Sequence, residues 1–297
     1  MTGSARLSLA RKARRWAGKT RRSREPHAPS ISLPVPAAAG EAPIFVIGCQ
    51  RSGTSLVRRI LDSHSRIACP PETTFLVPLV AVLHDRRSER GFEAMGYDRA
   101  AVAQSLAGFT SSFYEGYAAS QGKPRWADKT PHYVDILEDL WELFGPRARF
   151  VTIVRHGMDV AYSLADPKRR YPAIDACVAE AGGDVATGGG LFWKQQTGKI
   201  RAFAAAHPDA CHELRYEQLT ADPAAVLEPV FAFLGEPWEP AVVDYAAAPH
   251  HVGIEDPNVS KLREIVPNSG RYRAWPPEQQ AKVRAACEPL LSELGYR

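Results

Sequence analysis

Two glycines set five positions apart, Gly48 and Gly53, follow a short apolar run over residues 44–47. The run predicts a buried strand, and the apolar spacing after Gly53 predicts a helix. Such a turn can bind a phosphate, because backbone N–H groups and the helix dipole both attract an anion. In the phosphate loop of a nucleotide triphosphatase, a lysine follows the second glycine. Here Thr54 follows Gly53, and the nearby cation is Arg51. The segment predicts a phosphate site that lacks the lysine needed to contact a γ-phosphate. The alternative is an ordinary tight turn that binds no ligand.

The residue types of this loop resemble those of a known family. Arg-Ser-Gly-Thr-Ser after a buried strand is similar to the sulfotransferase loop that grips the 5′-phosphosulfate of 3′-phosphoadenosine 5′-phosphosulfate (PAPS). It looks most like the branch holding protein-tyrosine sulfotransferases and many bacterial sulfotransferases. The resemblance covers about residues 44–297. It implies a PAPS-dependent sulfotransferase whose loop binds the cofactor through Arg51, Ser52, Gly53, Thr54 and Ser55.

A second motif follows a β-branched run over residues 149–154. The resemblance implies that Arg155, at the end of this strand, and Ser163, eight residues later, bind the 3′-phosphate of PAPS. It also implies that Tyr216 lies near the adenine. Arginine offers a planar fork to phosphate oxygens, and a serine can donate from the following helix. The alternatives are a surface arginine with a helix serine, and a tyrosine in the core.

Two further residues are implied for the chemistry. Glu72, in Cys-Pro-Pro-Glu-Thr, resembles the glutamate that removes the proton of the acceptor hydroxyl. Lys129, in Asp-Lys-Thr-Pro, resembles the lysine that, with Arg51, offsets the charge that develops on the leaving phosphate. A glutamate in a helix first turn and a lysine in a surface turn are the alternatives. His132 is a rival base, because cytosolic small-molecule sulfotransferases use a histidine close after their lysine.

The C-terminal part matches the family more loosely. Residues 269–275 stand where the family has a loop that closes over the nucleotide, and the sequence does not choose between Arg271 and Arg273 as a phosphate contact. No metal site is expected, because the nine histidines lack paired ligand spacing and the five cysteines form no Cys-x-x-Cys pair. The scattered cysteines favour a reducing compartment.

The predicted strands and helices that must position these residues alternate along the chain. This order predicts an α/β protein of P-loop type, with a parallel sheet flanked by helices on both faces. Residues 44–47 and 149–154 predict buried strands, and residues 211–216 predict a strand that leads toward a helix. Ligands bind at the carboxyl ends of such strands. Residues 126–131 predict a turn, and five glycines within residues 166–190 predict an irregular, mobile loop that serves as a substrate lid. Pro276 begins a predicted C-terminal helix that extends through Leu294.

Charge divides the chain into two parts. Residues 1–26 carry nine basic side chains and one acidic, eight positive charges net, so the rest carries four negative charges net against the overall +4. With the Pro- and Ala-rich stretch that follows, residues 1–40 predict a disordered basic tail and linker, and residues 41–297 predict the sulfotransferase domain. A weak anchor to anionic surfaces and a transit peptide are other interpretations of the tail.

No run of about 18 apolar residues and no secretory signal is recognisable. We therefore expect no transmembrane segment and a cytoplasmic location. Nucleic acid is not an expected partner, and the oligomeric state is not predicted.

The predicted function is in-line transfer of a sulfuryl group from PAPS to a hydroxyl of a glycan, a peptide tyrosine or a small metabolite. The acceptor cannot be identified, because the family varies most in the segments that would form its pocket. Two rival functions are a P-loop kinase-like phosphotransferase, which would need ATP and Mg²⁺, and a nucleotide-binding module without catalysis.

Overall fold

The computed structural model describes residues 41–256, 258–259 and 261–297, so the predicted tail and linker lie outside the described residues. The strands are β1 Ile44–Gly48, β2 Ile67–Ala68, β3 Arg125–Asp128, β4 Arg149–Val154 and β5 Cys211–Arg215. The α-helices are α1 Thr54–Ser63, α2 Leu76–Val80, α3 Arg86–Ala94, α4 Arg99–Ser120, α5 Leu137–Phe144, α6 Gly157–Leu164, α7 Asp175–Glu180, α8 Val185–Ala206, α9 Tyr216–Ala221, α10 Pro223–Leu234, α11 Pro277–Cys287 and α12 Leu290–Glu293. Short 3-10 helices cover Ala81–His84, Pro131–Ile136, Gly145–Arg147, Pro172–Ile174, Pro208–Ala210, Pro240–Val243 and Arg271–Ala274.

The strands form one parallel sheet in the order β2-β3-β1-β4-β5. β1 is central, and its Phe45 is paired with Asp128 on β3 and with Phe150 on β4. The chain leaves β1 toward one edge of the sheet and leaves β4 toward the other. A crevice therefore opens at the carboxyl ends of β1 and β4, the position at which open α/β sheets bind ligands.

Both faces of the sheet are covered, which confirms the predicted fold class. Phe45 and Ile47 point into a core built with α2, α4, α5 and α8. Ile44 and Val46 point into the opposite core, built with α1 and α10. This alternation is the period of two that a strand imposes on its side chains. A third cluster packs α6 and α7 against α8, α11 and α12.

The prediction of a turn over residues 126–131 is wrong at its start. Arg125–Asp128 forms β3, is buried throughout, and pairs with β1 through Ala127 opposite Ile44. A four-residue segment with a charged residue at each end carries no apolar run. Its strand character comes from parallel pairing with two distant strands, and no local sequence signal reports that pairing.

The prediction of an irregular loop over residues 166–190 is also wrong for most of its length, because the 3-10 helix Pro172–Ile174, α7 and α8 occupy residues 172–180 and 185–190 of it. The glycines of α8 allow close helix packing. A Cβ on Gly188 would lie 2.7 Å from Val178 Cα, and one on Gly190 would lie 3.2 Å from Ala286 Cβ. Helix contacts thus outweigh the poor helix propensity of glycine here.

Other boundaries differ by less. The strand over residues 149–154 matches its prediction, whereas the last strand ends at Arg215 and Tyr216 begins α9. The predicted C-terminal helix is divided between α11 and α12 at Pro289, which has no N–H to donate to a helix ladder.

Two expectations about environment stay predictions. No helix among residues 41–256, 258–259 and 261–297 combines the length and the apolar character that crossing a membrane requires. The five cysteines are free thiols in the structure. The cytoplasmic location and the reducing compartment are not tested by these features.

Candidate active site

The loop after β1 presents the N-terminus of α1 to the crevice. The Ser52 N–H donates to the Cys49 carbonyl at 3.1 Å, and Gly53 has a φ of 102°. A Cβ on Gly53 would lie 2.6 Å from Cδ2 of Tyr216, so glycine is required here for conformation and for space. α1 begins at Thr54, and its first N–H groups have no partner within the helix. The predicted strand, glycine-bounded turn and helix N-terminus are therefore present.

A cavity of about 830 Å³ opens beside this helix N-terminus. Its wall contains most of the residues that the sequence predicts for the cofactor: Arg51, Gly53, Thr54, Ser55, Arg155, Ser163 and Tyr216. The predicted Ser52 lies behind the wall, 1% exposed, and its Oγ has no hydrogen-bond partner among the described residues. Segments that are far apart in the chain thus converge on one site of a size that suits a nucleotide.

Arg155 follows β4 directly and is held on both sides. Its guanidinium lies over the Tyr216 ring, 4.3 Å from the centroid. Nη1 donates to the Arg51 carbonyl at 3.0 Å, and Nη2 donates to the Asn268 carbonyl. Its Nε is buried and has no partner in the part of the chain that the structure describes. A planar cation held in this way, with an N–H still available, suits phosphate recognition.

Arg51 connects the loop to Ser163 and to a carboxylate that the sequence interpretation missed. Its Nε donates to Ser163 Oγ at 2.8 Å, so the direct partner of this serine is Arg51 rather than Arg155. Its Nη2 lies 3.0 Å from Oδ2 of Asp256, which also pairs with Arg169 at 3.0 Å. No pattern in residues 247–275 singles out Asp256, because that segment has no periodicity.

The surroundings of Asp256 favour its charged form. Burial by itself would raise the pKa of the carboxyl, but the charge of Arg51 and hydrogen bonds from Arg51, Arg169 and the Asn258 N–H hold the pKa below its usual value. Asp256 is therefore an ionised partner of Arg51 at the cavity wall.

The two residues predicted for the chemistry are in contact. Lys129 Nζ donates to Glu72 Oε1 at 2.5 Å and to Ser55 Oγ at 3.3 Å. Lys129 is fully buried, and the Glu72 side chain is 15% exposed. The Glu72 N–H donates to the Ile254 carbonyl at 2.9 Å. Because Ser55 lines the cavity, the Glu72–Lys129 pair adjoins the end of the site where the loop after β1 lies.

The choice between two C-terminal arginines favours Arg271. Arg271 lies in the cavity wall, with its guanidinium 5.1 Å from the centroid of the Tyr162 ring, whereas Arg273 is not part of that wall. Asp159, on the first turn of α6, accepts hydrogen bonds from the N–H groups of Gly270 and Arg271, both at 2.8 Å. This anchor was missed, although its position four residues after Arg155 on a predicted helix was a usable signal.

His132 has a different environment from Glu72. It is exposed and lies in the wall of a second cavity of about 690 Å³, together with Gln50, Asp135 and Tyr171. The described part of the chain contains no cluster of three or more His, Cys, Asp or Glu residues able to hold a metal ion. The expectation that no metal is needed stays a prediction.

Comparisons with known proteins agree with the motifs. Residues 43–240 match the profile of the sulfotransferase family. Protein-tyrosine sulfotransferase 1 of Danio rerio is 28% identical over 268 residues, which cover 85% of this chain and 72% of the relative. Protein-tyrosine sulfotransferase 2 of Gallus gallus is 27% identical over 270 residues, which cover 85% of this chain and 69% of the relative.

A solved structure agrees with the fold. The sulfotransferase domain from the curacin biosynthetic pathway superposes with a TM-score of 0.59 at 22% identity, over 86% of this chain and 98% of that domain. The matched range of the family profile contains the loop after β1, Glu72, Lys129, Arg155 and Ser163. The resemblance inferred from the motifs is confirmed, and the chain belongs to the sulfotransferase family, whose enzymes transfer a sulfuryl group to a hydroxyl acceptor.

Proposed function

We propose that this chain uses PAPS as its sulfuryl donor and Glu72 as its base. The observation that carries the proposal is the convergence of a helix N-terminus, Arg51 and Arg155 on one cavity, with the Glu72–Lys129 pair beside it. The site also fits a ligand with two anionic groups. The start of α1 can bind one of them, and Arg155 can bind the other, because its buried Nε has no partner among the described residues.

The cavity suggests how the nucleotide would bind. The N–H groups at the start of α1, with Arg51, would hold the 5′-phosphosulfate, because that end of a helix attracts anions. Arg155 would hold the 3′-phosphate, and Tyr216 would lie near the adenine. Ser163 contributes through its contact with Arg51. Arg271 lies in the same wall and is the candidate for a further phosphate contact.

When bound, PAPS supplies the sulfuryl group, which moves to the acceptor oxygen as the bond between sulfur and the 5′-phosphate oxygen breaks. Glu72 accepts the proton that the acceptor hydroxyl loses. Lys129 and Arg51 place positive charge where the leaving phosphate gains negative charge. Burial of Lys129 strengthens this effect, because charges interact more strongly away from water.

Peptide tyrosine is the first acceptor to test, because the two relatives above are named for it. Glycan and small-molecule hydroxyls are the other classes. Against the kinase-like alternative, the chain has Thr54 where a P-loop kinase has its lysine. A nucleotide-binding module without catalysis would bind the nucleotide but show no turnover on any acceptor.

The donor site is tested by calorimetry. We expect adenosine 3′,5′-bisphosphate to bind more tightly than AMP, because Arg155 contacts the 3′-phosphate. Arg155→Ala should remove this preference at a loss of about 1.5–3 kcal/mol, the scale of a hydrogen bond to a charged group. Arg201→Ala, at an exposed position of α8, is the matched control and should change neither affinity. Equal affinities of the unaltered chain for the two nucleotides would overturn the 3′-phosphate assignment.

A further inference from the structure

A buried carboxyl group at the end of β3 accepts hydrogen bonds from hydroxyl groups on several elements. Asp128 is fully buried. Its Oδ2 accepts from the Tyr114 hydroxyl and from Thr73 Oγ1 at 3.2 Å, and its Oδ1 accepts from Thr130 Oγ1 at 3.3 Å. Thr73 Oγ1 also lies 2.7 Å from the Tyr114 hydroxyl and 3.1 Å from the Tyr133 hydroxyl. This cluster of Asp128, Thr73, Thr130, Tyr114 and Tyr133, the Asp128 network, joins β3, α4 and the 3-10 helix at residues 131–136 to the segment before α2.

The Asp128 network holds the two backbone segments that carry the candidate base and its cation. Asp128 directly precedes Lys129, and Thr73 directly follows Glu72. The bond between Thr73 and Asp128 is therefore the neighbour in sequence of the 2.5 Å contact between Glu72 and Lys129, one residue away on each segment. The two contacts form adjacent bridges between the same pair of segments.

Glu72 lies in a segment that regular secondary structure does not hold. Residues 69–75 form neither helix nor strand. Thr74 has a φ of 57°, a left-handed conformation that is unfavourable for a β-branched residue. Such a conformation persists when neighbouring contacts determine it, and the side-chain bonds of Thr73 are the adjacent ones. Glu72 itself has a backbone contact, because its N–H donates to the Ile254 carbonyl.

Given the proposed function, we infer that Asp128 and Thr73 are positioning residues for sulfuryl transfer, which hold the Glu72 carboxylate against Lys129 without touching the reacting atoms. The base then meets the acceptor hydroxyl in a fixed position, and the ammonium of Lys129 stays directed toward the cavity. A displacement of a catalytic group by about 1 Å is enough to slow a reaction ~10²-fold. The network lies outside the nucleotide cavity, because none of its five residues is part of that wall.

Thr73→Val is the sharpest variant, because valine keeps the shape and the β-branch and removes the hydroxyl. Once an acceptor is identified, we expect kcat to fall about 10- to 100-fold, while KM for PAPS and the Kd of adenosine 3′,5′-bisphosphate change little. Thr73→Ser restores the hydroxyl and should recover most of kcat. Thr110→Val is the matched control: Thr110 is fully buried one turn before Tyr114 on α4, and its Oγ1 has no partner among the described residues. That variant should keep normal kcat.

A second measurement needs no turnover. Lys129 is fully buried in contact with Glu72, so reductive methylation followed by mass spectrometry should modify it slowly in the unaltered chain. Thr73→Val should accelerate this modification severalfold, whereas Thr110→Val and Thr73→Ser should not. If the chain transfers no sulfuryl group but this pattern holds, the proposed function fails and the positioning role of the network is retained.

Two results would overturn the inference. One is a Thr73→Val protein that melts at a lower temperature but keeps normal kcat and slow Lys129 modification, since the network would then be only structural. The other is an equal loss of nucleotide affinity and kcat, since the effect would then be global. If Thr73→Val does not fold, Tyr133→Phe removes the outer hydroxyl of the same network, and the same criteria apply.

Discussion

At the residue scale, Glu72 and His132 are rivals for the role of general base, and their surroundings differ. Glu72 contacts buried Lys129 beside the nucleotide cavity, whereas His132 is exposed in the wall of the second cavity. Glu72→Gln keeps the shape and removes the basicity, so turnover at saturating PAPS should fall ~10²–10⁴-fold with little change in nucleotide affinity. His132→Ala is the control and should cost much less. Near-normal turnover of Glu72→Gln together with an inactive His132→Ala would assign the base to His132.

At the element scale, α8 is a helix whose glycines are required at some positions and not at others. A Cβ on Gly188 would lie within 2.8 Å of the Val178 backbone, whereas one on Gly198 would have nothing within 4 Å. Gly188→Ala should therefore destabilise the protein by about 1–3 kcal/mol through overpacking. Gly198→Ala, in the same helix, should stabilise it by up to about 1 kcal/mol, since alanine is the better helix former. Denaturant unfolding of both variants measures this, and a stable Gly188→Ala would show that α7 can move away from α8.

At the scale of the whole molecule, the residues that form the site all belong to the described part of the chain. The described residues contain the sheet, both cavities and the Glu72–Lys129 pair. Residues 1–40 have few large apolar side chains and should not join the core. Their deletion should leave the melting temperature and the affinity for adenosine 3′,5′-bisphosphate unchanged. A fall larger than the ~2–4 °C expected for ~1 kcal/mol in a domain of this size would show that the tail packs on the domain.

The tail also has a predicted binding property that the same deletion can test. Its eight net positive charges favour weak contact with anionic surfaces. Sedimentation with anionic vesicles at two salt concentrations compares the full chain with the truncated one. We expect only the full chain to bind, and binding to weaken as salt screens the charges.

The sequence by itself determined the features that depend on neighbouring residues. The loop between Gly48 and Gly53, the strand over residues 149–154 and the amphipathic helices all follow from local spacing, because backbone conformation and burial impose periods of two and 3.6. The motif residues Glu72 and Lys129 were identified by family resemblance. Their contact with each other could not be read from spacing.

Tertiary structure alone decided the features that depend on distant partners. β3 is a strand because β1 and β2 pair with it, and the glycines near residue 188 are helical because α7 packs closely against α8. Asp159 is joined to Gly270 over 111 positions, and Thr73 is joined to Asp128 over 55. Such contacts form only after the sheet has brought the strand ends together, because the local chain carries no periodic signal for a partner so far away.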